Sequence, residues 1–547
     1  MPSSVFQFLR LGSPDQTRQF AYLVGLSALA NIVLIALINA AAAQVAVQGA
    51  VAVKLILLYG IGFALFVVSY KASLTLSNQI LQTLLAQLRE RIVDQLRRAP
   101  LRSIEQLGGG ELQAALARGA DQLSQNFSTL VGAAQGGILL VFCVAYIGFI
   151  SIAAAVVVAA ATLLALFFFF KRRRQLTQAL SGVYLQEALM LDSLTHFSSG
   201  FQEIRVNRQK SDDLFERFSM IVGELETRLR RVGSQWTGLM MFGNAFLYTL
   251  LGIVVFVLPM FFHGYPQEIY KIAATAIFAV GPVTAIITAT PIYFNACAEL
   301  DRMYELEKKV IQAAKPEMSA GATHDFRRFS TIQCQGLTYA YQAVAGQEPF
   351  TLGPVDLVLK SGDIVFFCGG NGGGKSTLIK LLTGLYRPTS GELLIDDIVV
   401  NTETLASYRS MFSAIFPDLH LFQTLHGLDS IRASEVDSLL DLMQLKGKVD
   451  IVNNRFTTLN LSTGQRKRLA MMTALLEDRP IYVFDEWAAD QDAHFRDVFY
   501  HRVLPELKAR GKTVLVVTHD ERYWDACDVR YRLDLGQLIA EKGVKGS

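Results

Sequence analysis

Charge is scarce in this chain: only 18% of its 547 residues are Asp, Glu, Lys or Arg, against about 25% in an ordinary soluble protein. The net charge is +3, which supplies no basic field for nucleic acid and excludes it as a partner. Cysteine is also sparse. Cys143, Cys297, Cys334, Cys368 and Cys527 are scattered without CxxC or Cys/His ligand spacing, so a disulfide framework or zinc site is excluded and reduced thiols are expected. The shortage of charge is matched by 51% hydrophobic residues and a mean hydropathy of +0.32. Such a chain is too apolar for disorder, and it implies a membrane protein with a soluble part.

The apolar residues are concentrated in the first 300. Six stretches approach or exceed the roughly 20 apolar residues that a bilayer-crossing helix needs: 20–44, 51–73, 130–150, 151–170, 236–262 and 272–294. The third and fourth abut without a polar gap, and Gly148–Ser151 predicts a tight hairpin between them. The first has basic residues before it, Arg10 and Arg18, as a secretory signal would. It is too long for a signal core and a second span follows at once, so it reads as a first membrane helix.

Lys and Arg set the orientation. Lys71, Arg89, Arg91, Arg97, Arg98, Arg102 and Arg118 lie between the second and third spans, and Lys171–Arg174 to Arg231 between the fourth and fifth. The alternate connections carry almost none. Both termini are therefore expected in the cytoplasm, with two long inner loops of about 55 and about 65 residues. Leu81, Leu84, Leu85 and Leu88 keep helical spacing, so the spans should continue well beyond the membrane. The spans hold almost no charge, only Lys54 and Lys71 toward the ends of the second, so none marks a proton path. The scattered Asn31, Asn39, Asn244, Thr288 and Asn295 suit interhelical hydrogen bonds.

From about Lys315 the composition changes to short β-like runs alternating with helices, the pattern of an α/β domain. The expected boundaries are 1–315 for the membrane part and 316–547 for the soluble part. Gly369-Gly370-Asn371-Gly372-Gly373-Gly374-Lys375-Ser376 fits G-x-x-x-x-G-K-[ST]. An apolar run, Ile364–Cys368, precedes it and a helical segment from Thr377 follows. Glycines let consecutive backbone N–H groups curl around a phosphate at a helix N-terminus. Lys375 is placed to bridge the outer phosphates, and Ser376 to ligate Mg²⁺. About 110 residues on, Ile481–Phe484 runs into Asp485-Glu486: Asp485 suits a Mg²⁺ ligand and Glu486 a base for the attacking water.

Between these two features, Leu461-Ser462-Thr463-Gly464-Gln465-Arg466 resembles the L-S-G-G-Q signature of ATP-binding cassette (ABC) proteins, with Thr463 replacing a glycine. Thr518-His519-Asp520 resembles that family's switch histidine, Tyr341 its adenine-stacking aromatic, and Asp492 the aspartate closing the loop after the catalytic glutamate. The resemblance implies the ABC exporter layout: an α-helical six-span transmembrane domain followed by an α/β P-loop nucleotide-binding domain. It implies an ATP site formed by Tyr341, Gly369, Asn371, Gly372, Gly373, Gly374, Lys375, Ser376 and Thr377, completed by Ser462, Gly464, Gln465 and Asp492. Mg²⁺ would sit on Ser376 and Asp485, with Glu486, His519 and Lys375 catalytic. Segments 108–121 and 201–208 resemble the intracellular coupling loops. Ser462–Leu469, Asp485–Asp492 and Tyr408–Ser413 resemble the cyclic-peptide and pyoverdine-type siderophore exporters within the family.

One departure stands out. The family's glutamine after the 408–415 strand region is replaced by Phe416-Pro417-Asp418, with Pro417 at the expected position. The resemblance thus implies a homodimer with two composite ATP sites in the bacterial inner membrane, exporting peptide-like cargo by alternating access. A lipid or hydrophobic-drug flippase fits the same layout. The missing glutamine and Thr463 lend some support to an ATP-gated sensor or channel with weak hydrolysis.

Overall fold

The computed structural model describes residues 8, 13–107, 112, 116, 119–257, 269–314, 324–341, 349–428 and 432–542. The glycine-rich turn at 108–110, most of the expected coupling segment before residue 119, and the 263–266 connection therefore lie outside the described residues, as does the expected boundary at 315–316. The chain forms two compact units. One comprises Met1–Asp94 and Gly108–Lys309; the other comprises Gln95–Leu107 and Val310–Ser547.

The helices are α1 (Pro14–Gln48), α2 (Val53–Leu96), α3 (Leu101–Leu107), α4 (Gly119–Ile150), α5 (Ile152–Ser199), α6 (Phe201–Val206), α7 (Arg208–Gly252), α8 (Ile269–Phe278) and α9 (Val280–Ala314). Helix α1 starts where Ser13 accepts from the Gln16 N–H and Pro14 takes the first position, and it stops at Gly49 with φ +72°. Those are the residue types that begin and end helices. The expected hairpin is present and minimal: Ser151, extended at φ −154°, separates α4 from α5 and caps the latter by accepting from the Ala154 N–H.

Among the described residues, four helical stretches are long and apolar enough to cross a membrane: Pro14–Val45, Val53–Leu96, Phe127–Ile150 and Val280–Gln312. Ile152–Leu164 and Tyr248–Val257 are shorter apolar stretches at the fourth and fifth expected spans. The sixth expected span is not one helix. It breaks at Ala279, between α8 and α9, because Pro282 has no N–H for the carbonyl one turn back. The first half of α2 exposes Ile56, Leu57, Phe63 and Val68, an apolar surface that calls for hydrocarbon around it. Its second half instead buries Ile80, Leu81, Leu84, Leu85, Leu88 and Ile92, the helical spacing read from the sequence.

The second unit holds a six-stranded sheet in the order β12-β11-β3-β10-β9-β6 and a four-stranded antiparallel sheet, β2-β1-β4-β5. Here β1 is Thr331–Ala340, β2 Thr351–Lys360, β3 Ile364–Cys368, β4 Ser390–Ile395, β5 Ile398–Val399, β6 Phe412–Ile415, β7 Ile451–Val452, β8 Arg455–Phe456, β9 Ile481–Asp485, β10 Thr513–Val517, β11 Val529–Asp534 and β12 Gln537–Lys542. Strands β7 and β8 form a separate hairpin. Strands β3, β9 and β10 are parallel neighbours, buried at every position. Covering on both faces is what turns such strands into continuous apolar runs in sequence. Their C-terminal ends lead directly into the glycine loop, the Asp485–Glu486 pair and Thr518–His519, so three short strands gather the chemistry at one sheet edge.

Tyr408 ties the glycine loop's helix to the rest of this unit. Fully buried, it donates from its hydroxyl to the Leu382 carbonyl at 2.6 Å. Tyr408→Phe leaves that carbonyl unpaired in the core and should cost about 1–2 kcal/mol, measured as a lower unfolding temperature of the purified protein.

Candidate functional site: a phosphate loop joined to a buried carboxylate

Some glycines of the loop, Gly369 and Gly374 among them, are demanded by what surrounds them. Gly369 has φ +137°, and a Cβ there would lie 2.1 Å from the Leu533 carbonyl oxygen. Gly374, at φ +100°, is hemmed in by Leu352 and Phe350. Gly372, also left-handed at φ +80°, has open space around it. Gly374 is the N-cap of α10 (Lys375–Leu382) and supplies no side-chain cap, so the first N–H groups of the helix are left for a ligand.

Lys375 is buried, and its ammonium donates to the Gly369 carbonyl at 3.0 Å and the Gly370 carbonyl at 2.9 Å. Burial lowers its pKa, while the Glu486 and Asp485 carboxylates pull it back up. Thr377 is buried as well and shares a 3.0 Å hydrogen bond with the Tyr341 hydroxyl. Asn371 and Gly372 stand exposed at the loop tip.

Asp485 ends β9 with 1% of its surface exposed. Among the described residues, neither of its carboxylate oxygens has a hydrogen-bond partner. Burial raises its pKa to about 6; the nearby Ser376 hydroxyl pulls the other way. A buried carboxylate left unpaired beside a serine hydroxyl is a donor set of hard oxygens that suits Mg²⁺. Ser376 and Asp485 would hold that ion, which would supply charge neutralisation at the phosphates. The next residue, Glu486, is left-handed at φ +51°, and its carboxylate lies 3.1 Å from the His519 Nε2. Both side chains are partly exposed, and they line a cleft of about 280 Å³ with Arg496, Thr518 and Asp520.

The signature residues sit at the start of a long helix, α11 (Thr463–Glu477). Ser462 is its N-cap: its hydroxyl accepts from the Gln465 N–H, and its own N–H donates to the Gln465 side chain at 3.2 Å. The Gly464 carbonyl accepts from the Gln491 amide at 3.1 Å. Asp492 accepts from the Phe495 N–H at 2.8 Å and pairs with Arg468 at 2.6 Å. That backbone hydrogen bond, with Arg468 beside it, holds the carboxyl of Asp492 below the ordinary aspartate value. The expected ATP residues thus fall into two groups. Tyr341, the glycine loop, Asp485, Glu486 and His519 surround the strand ends, whereas Ser462, Gly464, Gln465 and Asp492 cluster at the start of α11.

Three contributors were not read from the sequence. Arg102, from the Gln95–Leu107 segment, places its guanidinium 4.7 Å over the Tyr341 ring. Glu105, one turn on, takes hydrogen bonds from Lys380 at 2.9 Å and from the Tyr386 hydroxyl at 2.6 Å. No local pattern announces these contacts, because the partners lie more than 200 residues away. The third contributor is Lys467, whose one signal was a charge on the apolar face of the signature helix.

Residues 352–489 match the ABC transporter family. Over 97% of this chain, the structure superimposes on a bacterial Atm1-family ABC exporter with ATP bound. The match covers 95% of that chain, with a TM-score of 0.77 and 15% sequence identity. The chain has the fold of an ABC exporter. Among curated proteins, this chain is 36% identical over 308 residues to the ATP-binding protein SyrD of Pseudomonas syringae pv. syringae, which covers 55% of this chain and 54% of that protein. It is 29% identical over 289 residues to an ATP-dependent lipid A-core flippase of Nitrosococcus oceani, covering 49% and 47%. The chain spans about half the length of the curated relatives it matches.

Gly369→Ala forces a Cβ into backbone and should abolish nucleotide binding, read with a fluorescent ATP analogue. Asp485 gives a pH signature. Its folded pKa lies above its unfolded value, so the folded state holds more protons between about pH 4 and pH 6 and loses stability as pH rises through that window. Asp485→Asn should therefore raise the unfolding temperature of the nucleotide-free, Mg²⁺-free protein at pH 8. That gain, worth about 3 kcal/mol at most, should shrink as pH falls toward 4.

Proposed function

We propose that this chain hydrolyses ATP to drive export of cyclic or modified peptides, siderophore-like molecules included, across the bacterial inner membrane. The observation that carries the ATPase reading is the convergence at three adjacent strand ends. There a phosphate loop, an unpaired buried carboxylate beside Ser376, and the Glu486–His519 pair share one edge. Lys375 would exchange its two loop carbonyls for phosphate oxygens. Glu486 would take the proton of the attacking water, and His519, 3.1 Å away, would hold that carboxylate in place and sense the outer phosphate.

The grouping of Ser462 and Gly464 with Asp492, at the start of α11, supports a homodimer with two composite ATP sites. Each site would pair one copy's phosphate loop with the signature of the other. Closing and opening of that dimer would be passed through the inner loops to the helices as alternating access. The Lys and Arg distribution supports cytoplasmic termini and a cytoplasmic nucleotide domain.

The peptide assignment rests on the Ser462–Leu469, Asp485–Asp492 and Tyr408–Ser413 strings. A second reading, a lipid flippase, has its own support: several of the curated relatives are ATP-dependent lipid A-core flippases. The apolar surface of the helices suits either cargo.

ATP hydrolysis by the nanodisc-reconstituted protein, with and without cyclic peptides, linear peptides and lipids, tests these readings. Stimulation by a subset of cyclic peptides is expected; stimulation by lipid alone would favour the flippase. Glu486→Gln should keep ATP binding while turnover falls by about two orders of magnitude or more. Unchanged turnover would remove Glu486 from the role. Asp418 is exposed beside Pro417 and is proposed to substitute for the family's glutamine. Asp418→Ala should then lower ATPase activity, and an unchanged rate would end that assignment.

A further inference from the structure

Glu486 adopts a left-handed backbone conformation, φ +51°, that is strained for a non-glycine residue, so something must hold it there. Its N–H donates to the Val517 carbonyl at 3.2 Å. Its carbonyl accepts from the Lys467 ammonium at 3.0 Å. Lys467 stands on α11 with 6% of its side chain exposed, and its ammonium also pairs with Asp490 at 2.7 Å. The backbone carbonyl of the same lysine accepts from the indole N–H of fully buried Trp487, at 2.8 Å. A desolvated ammonium is retained only where it is well paired, and its partners, Glu486 and Asp490, lie at the cap and the end of the short turn that follows β9.

The neighbouring residues interlock in the same way. Arg468 donates to Gln491 at 2.9 Å and to Asp492 at 2.6 Å, and lies 4.0 Å over the Phe495 ring. Gln491 in turn donates to the Gly464 carbonyl. The strings Ser462–Leu469 and Asp485–Asp492 are therefore the two halves of one clasp. A lysine in one half grips the backbone of the glutamate in the other.

We propose that Lys467 is a positioning residue for ATP hydrolysis, fixing the backbone of Glu486 so that its carboxylate faces His519. This rests on the hydrolytic reading of the site given above. The Lys467 ammonium is taken up by the Glu486 carbonyl and Asp490; the residue acts by denying Glu486 the relaxed conformation in which the carboxylate would point elsewhere. A misplacement of about 1 Å can cost two orders of magnitude in rate.

The test uses the full chain in nanodiscs. Lys467→Met, which keeps the length and removes the charge, should lower kcat for Mg-ATP by about tenfold or more while KM changes less than about twofold. Lys467→Arg, still able to reach both partners, should recover most of the loss. In a Glu486→Gln background, Lys467→Met should lower the residual rate no further, because the two changes act on one group. A kcat equal to wild type in Lys467→Met overturns the proposal. So does a loss of kcat and nucleotide binding together that Lys467→Arg does not repair, since that marks a purely structural role.

Hydrogen exchange separates this failure from failure of the ATPase reading. Should the wild type hydrolyse nothing, the functional reading falls. The amides of 486–491 then still decide the role of Lys467: about tenfold faster exchange in Lys467→Met supports the grip, and unchanged protection overturns it.

Discussion

The strand-end edge depends on one constraint: a carboxylate ends an otherwise apolar strand and is buried with no hydrogen-bond partner among the described residues. Burial disfavours the charged form of Asp485, in a strand flanked by the fully buried β10 and the alternately buried β6. Moving the carboxylate outward by one residue would relieve the penalty but take it away from Ser376 and Lys375. In the proposed reading, stability is surrendered at this position so that a hard cation and phosphate oxygens would find a ready charge. The strained backbone of Glu486 is a second surrender beside the first, secured by Lys467.

The membrane-facing unit handles polarity in the opposite way. Several of its buried polar side chains are paired across helices. The Gln135 amide donates to Ser27 and Ser73, and the Asn39 amide to Thr275. Satisfied clusters of this kind hold helices together in hydrocarbon without adding charge.

How much of this was legible follows from the range of the forces involved. Strands β3, β9 and β10 could be read to within a residue, because full burial leaves a continuous apolar run. The α4–α5 hairpin was legible because Ser151 both interrupts and caps. The break at Ala279 was signalled by Pro282 but masked by the apolarity around it, since hydropathy has no sensitivity to a missing N–H. The glycine loop announced itself through residues that allow no alternative side chain. Arg102 on Tyr341 and Lys467 on Glu486 could not be read, because each joins positions whose proximity only the finished fold creates. In the second case both strings, Ser462–Leu469 and Asp485–Asp492, are legible as motifs, yet a string carries no information about what it touches.

The allegiance of Gln95–Leu107 has a practical side. In sequence this segment belongs with the membrane helices, and a soluble fragment cut at residue 316 would omit it. Such a fragment would leave Lys380 and Tyr386 without their carboxylate and one face of Tyr341 bare. Leu101, which packs against the core of this unit, would be replaced by water. Nucleotide affinities measured on the fragment would describe an aromatic platform that the intact chain never presents.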